Sequence, residues 1–388
     1  MRDRSKEMEI DENQQAIDEA MERNKKTERV DMETVVNVND GFALLRKYRN
    51  CLMGFAAFCI LIFHAWTYVF EGTVLEFAES FVRRISFFGV DIFFFLSGLG
   101  LFFSIQSHSV LRFYYHRFRR LAIPFLAVAF IRYATEDWTA EQLWGSITGI
   151  SFYTRNIYSF LWFVPAIATL YLLFPVYYRL FSVSSDKKAF TLYVLVIWLL
   201  VSLALTDNVL RSDLYDFTNR IPVFCAGCLA GYLSRQGTHI FNRSIWILLV
   251  LTLILGLYLS YLTNYRSMPL LVPTPNCCVP TFLIAVSLSF LIPKGLEMLC
   301  TVPKLKLLGS ALVRFLAFLG MMSLELYCIQ AWIFYLMSPW LEQHFSALMI
   351  NIIFFICIMA LGIVLWWIQK SVWKLAERVV PRRRGMGV

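Results

Sequence analysis

Residues 85–106 read ISFFGVDIFFFLSGLGLFFSIQ. The run is apolar or small throughout, apart from the carboxylate of Asp91 and the terminal amide of Gln106. A helix needs about 20 such residues to cross the hydrocarbon of a bilayer. The run therefore predicts a membrane span, and Asp91 is a candidate functional residue, because an ionisable group at that depth is costly. Working outward, stretches of the same character recur at about 51–70, 119–134, 158–181, 189–206, 220–234, 245–263, 277–293, 311–337 and 347–369. Together they predict an all-α, polytopic membrane bundle of about ten transmembrane helices. Composition agrees: 58% of the residues are hydrophobic and 16% charged, with a mean hydropathy of +0.59. Soluble domains sit near 45–50% and about 25%. With 18 Gly, 12 Pro and 9 Cys, collagen-like, low-complexity and disulfide-scaffold classes are excluded.

The net charge of +9 resolves by position. Residues 1–50 hold 10 Lys and Arg against 12 Asp and Glu, so the excess lies in the span region. With the N-terminus inside and ten alternating spans, 19 of the later basic residues fall inside and 7 outside. Cytoplasmic loops carry the Lys and Arg excess, so both termini are expected in the cytoplasm. The positive charge then reads as an orientation signal rather than a nucleic-acid surface. The chain divides into a charged tail over 1–41, disordered or loosely helical, a membrane domain over 42–370 and a basic tail over 371–388. No apolar core of signal-peptide type precedes Cys51.

Three ionisable residues stand out inside the spans: His64, Asp91 and Glu325. His64 sits six residues before the outer end of the first span, roughly 9 Å deep, and Asp91 lies at a similar depth in the second. Consecutive spans tend to be neighbours, so a His64–Asp91 pair is expected, the carboxylate fixing the imidazole tautomer. The plainer readings are a His64 that only bonds a neighbouring helix, an Asp91 paired with Arg83 or Arg84, and a Glu325 paired with Arg314 or Arg220. In HRFRRLAIPF, Arg117, Arg119 and Arg120 form a basic cluster that reads as an orientation anchor or as a phosphate site. No two histidines stand at ligand spacing with a carboxylate, so no metal is expected. Cys225 and Cys228 read as small apolar residues of one helix face, and no disulfide framework is implied.

With these residues in place, the sequence resembles the acyltransferase family 3 membrane proteins, which acylate surface glycans and related acceptors in bacteria. The resemblance spans about 42–370. It rests on His64 near the end of span 1, on Gly89-Val90-Asp91-Ile92-Phe93-Phe94-Phe95-Leu96-Ser97-Gly98, and on Arg117, Arg119, Arg120 and Pro124. Leu161-Trp162-Phe163-Val164 with Tyr171 and Pro175, and Leu319-Gly320 with Ser323-Leu324-Glu325-Leu326-Tyr327, complete it. Two positions depart from the pattern. Met53 stands where an Arg is frequent, with Arg49 one turn earlier as a candidate substitute, and Gln330 stands where His is frequent.

The resemblance implies an acyl-coenzyme A donor, with acetyl as the expected group, its phosphates held by Arg117, Arg119 and Arg120. It implies His64 as general base with Asp91 orienting it, or His64 as a transient acyl carrier. The implied acceptor is a sugar hydroxyl of a glycan or glycolipid on the outer side near Trp162, with Ser97, Glu325 and Gln330 as motif residues. A multi-pass protein of the bacterial cytoplasmic membrane, surrounded by lipid and using neither metal nor nucleic acid, is the resulting expectation. Three rivals stand beside it: a membrane-bound O-acyltransferase, whose His lies much later in the chain; a transporter or flippase of a glycan precursor, with His64 and Glu325 as a proton relay; and an inactive scaffold, suggested by Met53 and Gln330.

Overall fold

The computed structural model describes residues 40–65, 67–154, 161–204, 214, 216–266 and 278–379. The charged tail expected over 1–41 lies, except for its last two residues, outside the described residues. The chain opens on Asp40, whose carboxylate accepts from the backbone N–H groups of Phe42 and Ala43 and so caps a short first helix, α1 (Gly41–Lys47). There follow α2 (Arg49–Phe63), α3 (Glu76–Ile85), α4 (Phe88–Ser107), α5 (Val110–Thr135), the short α6 (Ala140–Thr148) and α7 (Ile150–Thr154), and α8 (Phe163–Val183). The second half comprises α9 (Lys187–Ala204), α10 (Ile221–Arg235), α11 (Arg243–Tyr265), α12 (Cys278–Thr301), α13 (Lys306–Met321), α14 (Ser323–His344) and α15 (Ala347–Val379). No strand occurs among the described residues. The last helix runs on to Val379, into the segment read from sequence as a basic tail.

Helix α4, the run quoted first, is the centre of the bundle. From Phe88 to Phe102 nearly every side chain is buried. Its closest neighbour is α10, and the approach depends on missing side chains. A Cβ at Gly98 would run into the carbonyl oxygen of Phe224, and one at Gly227 into that of Phe95. The pair α2 and α13 meets the same way, Gly54 lying on the Leu316 carbonyl and Gly320 on that of Asn50. In lipid, where apolar surface gains little by meeting apolar surface, such small-residue contacts are what let helices associate. By contrast α11 presents Ile247, Leu248, Leu251, Ile254 and Leu255 outward, as a lipid-facing helix does.

Five helical stretches among the described residues are long and apolar enough to cross a membrane: Glu76–Ser107, Phe163–Val183, Arg243–Tyr265, Cys278–Thr301 and Ala347–Arg378. A sixth is the pair α13 and α14, bent by 64° at Met322. The remaining stretches read as spans from sequence form helices that are shorter, as α2 and α10 are, or carry charge, as α5 does with its arginines. The first span was expected over 51–70, but α2 ends at Phe63 and His64 is its C-cap. The chain beyond is captured by other elements. Arg83 donates to the carbonyl of Ala65, and Thr67 exchanges hydrogen bonds with Asn351 while its hydroxyl donates to the carbonyl of Ala347.

Candidate active site

The end of α2 borders a cavity of about 350 Å³. His64 and Arg84 line it together with the aromatic faces of Trp162 and Tyr327 and the polar groups of Asp216 and Asn264. The imidazole is held by its own helix: Nδ1 lies 3.0 Å from the carbonyl oxygen of Ile60. A carbonyl only accepts, so Nδ1 carries the proton and the ring's lone pair lies on Nε2. The ring of Phe63 meets it edge-on at 4.8 Å between centroids.

Trp162 and Tyr327 reach the cavity from opposite halves of the sequence. Trp162 stands at the start of α8, stacked on Phe94 of α4. The next backbone N–H, that of Phe163, donates to the Tyr327 hydroxyl at 3.3 Å, which ties α8 to α14.

Asp91 was expected to orient His64. The structure gives it another partner. Its carboxylate is buried and lies 3.7 Å from Nε of Arg220, while Asp216 approaches Nη1 of the same guanidinium at 3.7 Å. Arg83 and Arg84 do not serve Asp91. Arg83 lies over the Tyr68 ring and bonds Ala65, and Arg84 faces Tyr265 and the cavity. The reason is register: Asp91 occupies the first turn of α4, and that turn faces α10, whose N-cap is Arg220.

Glu325 pairs neither with Arg314 nor with Arg220. It is fully buried in the first turn of α14 and receives both terminal nitrogens of Arg120, at 2.7 and 3.0 Å. Arg120 also donates to Gln369 and to the carbonyl of Met321 at the helix break, and Gln369 donates back to the Arg120 carbonyl. Arg119 donates to Glu377 at 2.7 Å and lies over Trp373. Two of the three arginines expected at the donor's phosphates are thus committed to carboxylates of the chain.

Arg117 differs. Its guanidinium donates to the carbonyl of Gly100 at 3.2 Å. Arg49 of α2 comes to the same glycine, its Nη2 lying 3.1 Å from where a Gly100 Cβ would be, with Tyr171 alongside both arginines. No carboxylate of the described residues pairs with either one. Two cations converging without a counter-charge make an anion site. Arg49 and His64 stand at the two ends of α2, about 22 Å apart at 1.5 Å per residue.

The other motif residues lie off the cavity. Ser97 is half-buried within α4 beside the Gly98 contact with α10, and Gln330 is fully buried within α14. Neither polar atom of the Gln330 side chain is hydrogen-bonded among the described residues. Among those residues no three His, Cys, Asp or Glu side chains gather as metal ligands.

A family model described as an acyltransferase domain matches residues 47–368. The chain belongs to the acyltransferase 3 family. It is a multi-pass membrane acyltransferase, as the match and the apolar helices together establish. Neither the curated proteins nor the solved structures contain a match to it. In this acyltransferase, sequence reasoning singled out His64, Asp91 and Glu325 because each interrupts an apolar run. It missed Asp216 and gave Arg220 the wrong partner, since both were counted among loop charges. The available signal was Arg220-Ile221-Pro222, a cation at the N-cap position two residues before a proline in the first turn of a helix.

Proposed function

We propose that this acyltransferase moves an acyl group, acetyl in the first instance, from acyl-coenzyme A at the cytoplasmic side to a hydroxyl of an extracytoplasmic glycan. The observation that carries the reading is the pairing of two sites along α2. A pair of arginines without a carboxylate partner among the described residues, Arg49 and Arg117, stands at one end, and His64 stands beside a cavity at the other. A coenzyme A molecule has the matching form, with phosphates at one end and a thioester at the far end of a thin arm. Its phosphates would lie on Arg49 and Arg117, with Arg119 and Arg120 holding the surrounding helices by their own carboxylates. A sugar fits the cavity wall, where Trp162 and Tyr327 offer ring faces and Asp216 and Asn264 offer hydrogen bonds.

The proton moves in a closed cycle. Nε2 of His64 takes the acceptor hydroxyl's proton as that oxygen attacks the thioester carbonyl carbon. The C–O bond forms and the C–S bond breaks. The departing thiolate then takes the proton from the imidazolium and leaves as coenzyme A. The Ile60 carbonyl keeps Nδ1 protonated and so presents the correct nitrogen. The orientation this reaction requires, Arg117 inside and His64 near the outer face, is the one the Lys and Arg distribution of the sequence supports.

Membranes carrying the protein and supplied with radiolabelled acetyl-coenzyme A test the reading. Label should enter surface glycan, and His64→Ala should reduce its incorporation by at least about 100-fold, the lower range for a lost general base. Incorporation by His64→Ala at the parent rate would sink the reading.

A further inference from the structure

The geometry points to Arg220 as a positioning residue of the transfer site: clamped between Asp91 and Asp216, its guanidinium sets the cavity wall through Phe87 and Trp162. The inference rests on the reading of the His64 cavity as the site of acyl transfer. Arg220 is the largest fully buried side chain among the described residues. Among the described residues none of its guanidinium nitrogens makes a hydrogen bond. It is held instead by charge and by ring faces. Asp91 and Asp216 each approach to 3.7 Å, the Phe87 ring centroid lies 4.3 Å from Cζ, and that of Trp162 lies at 5.7 Å.

Three of these four neighbours, Phe87, Trp162 and Asp216, line the cavity, and Arg220 stands behind them. One planar cation thus meets two rings and two carboxylates drawn from three places in the chain: Phe87 and Asp91 at the start of α4, Trp162 before α8, and Asp216. Guanidinium suits that task because it stacks on ring faces and pairs with carboxylates at once, which a compact ammonium does less well. Burying an arginine is expensive unless it is paired, and a core built only for stability fills such a space with apolar groups. The charge here holds a surface in place. Asp91 gains its function from this arrangement: it anchors Arg220 from the first turn of α4, where the helix N-terminus favours a carboxylate.

The test uses the full chain in membrane vesicles, with radiolabelled acetyl-coenzyme A and the vesicles' own glycan as acceptor. Arg220→Gln alone leaves Asp91 buried without a counter-charge, so Arg220→Gln/Asp91→Asn is the informative variant, measured against Asp91→Asn. The double variant should insert normally and lose roughly 100-fold in kcat relative to Asp91→Asn, the scale of a misplaced reacting group, with the KM for acetyl-coenzyme A little changed. Arg220→Lys, which keeps the charge but stacks less well on Phe87 and Trp162, should recover part of the rate that Arg220→Gln loses. A second readout is independent of turnover. Trp162 emission, taken as the difference between each protein and its Trp162→Phe counterpart, should shift in the double variant and not in Asp91→Asn.

Turnover by the parent with an unchanged kcat in the double variant, or with no Trp162 shift, overturns the assignment of Arg220. So does an equal loss in Arg220→Lys and Arg220→Gln, which is what a purely structural role gives. No turnover by the parent overturns the acyl-transfer reading itself.

Discussion

Each fully buried charge among the described residues has a partner from a distant part of the chain, and the partner sets its role. Glu325 closes on Arg120, Asp91 faces Arg220, and Glu297 receives both Lys47 and the Tyr48 hydroxyl, at 2.6 and 2.8 Å. Arg49 and Arg117 are the contrast, two guanidiniums meeting at Gly100 with no carboxylate of the described residues between them. A phosphate placed there replaces a repulsion with charge-assisted hydrogen bonds. Arg49→Gln and Arg117→Gln should each raise the Kd for coenzyme A by roughly 10- to 100-fold, the worth of about 1.5–3 kcal/mol. Arg119→Gln, whose guanidinium already belongs to Glu377, should change it by less than about threefold. Isothermal titration on purified protein separates the two outcomes. The candidate site was legible in sequence as far as single residues go, because a lone His or Asp stands out in an apolar run. The pairings were not. Arg49 was named as a substitute for the family's Arg and Arg220 as a partner of Glu325, but only the packing of α2 on α4 and of α10 on α4 brings the first to Arg117 and the second to Asp91.

At the level of elements, the breaks matter as much as the helices. The bend at Met322 turns Glu325 inward at the start of α14, and Arg120 locks the bend by reaching Glu325, Gln369 and the Met321 carbonyl together. Removing the two partners is therefore not equivalent. Arg120→Ala leaves a fully buried carboxylate unpaired and should cost about 3–5 kcal/mol. Glu325→Ala leaves a guanidinium that is 40% exposed and should cost clearly less. Thermal unfolding in detergent reads the difference, and equal midpoints would contradict it. Gly227→Val should destabilise by about 1–3 kcal/mol or more, because its Cβ would enter the backbone of α4 at Phe95. The helical class was visible from hydropathy, whereas the central place of 85–106 follows from its glycine contacts with α10. The end of α2 at Phe63 was not, because residues 65–70 are apolar enough to continue a helix. Hydrogen bonds from Arg83, Thr67 and Asn351 stop it.

Over the whole molecule, the charge distribution and the site arrangement make one statement. Arg117 lies with Arg49 at one end of α2, the end the sequence-based orientation puts inside, and the cavity lies at the other. Epitope tags inserted at Gly72 and Gly237, two turns with open space around them, test the orientation directly. The first should be reached from outside the cell and the second only after permeabilisation, and exposure of both on one side would contradict the alternating count. The central claim is that a single donor spans the protein along α2, from two arginines to one histidine. A cryo-electron-microscopy structure with a non-hydrolysable acetyl-coenzyme A analogue tests it most directly. The account predicts phosphate density between Arg49 and Arg117 and the acyl carbonyl carbon within about 4 Å of the cavity face of His64, close to a near-attack distance. Phosphates bound elsewhere, or an acyl group that ends far from His64, would contradict it.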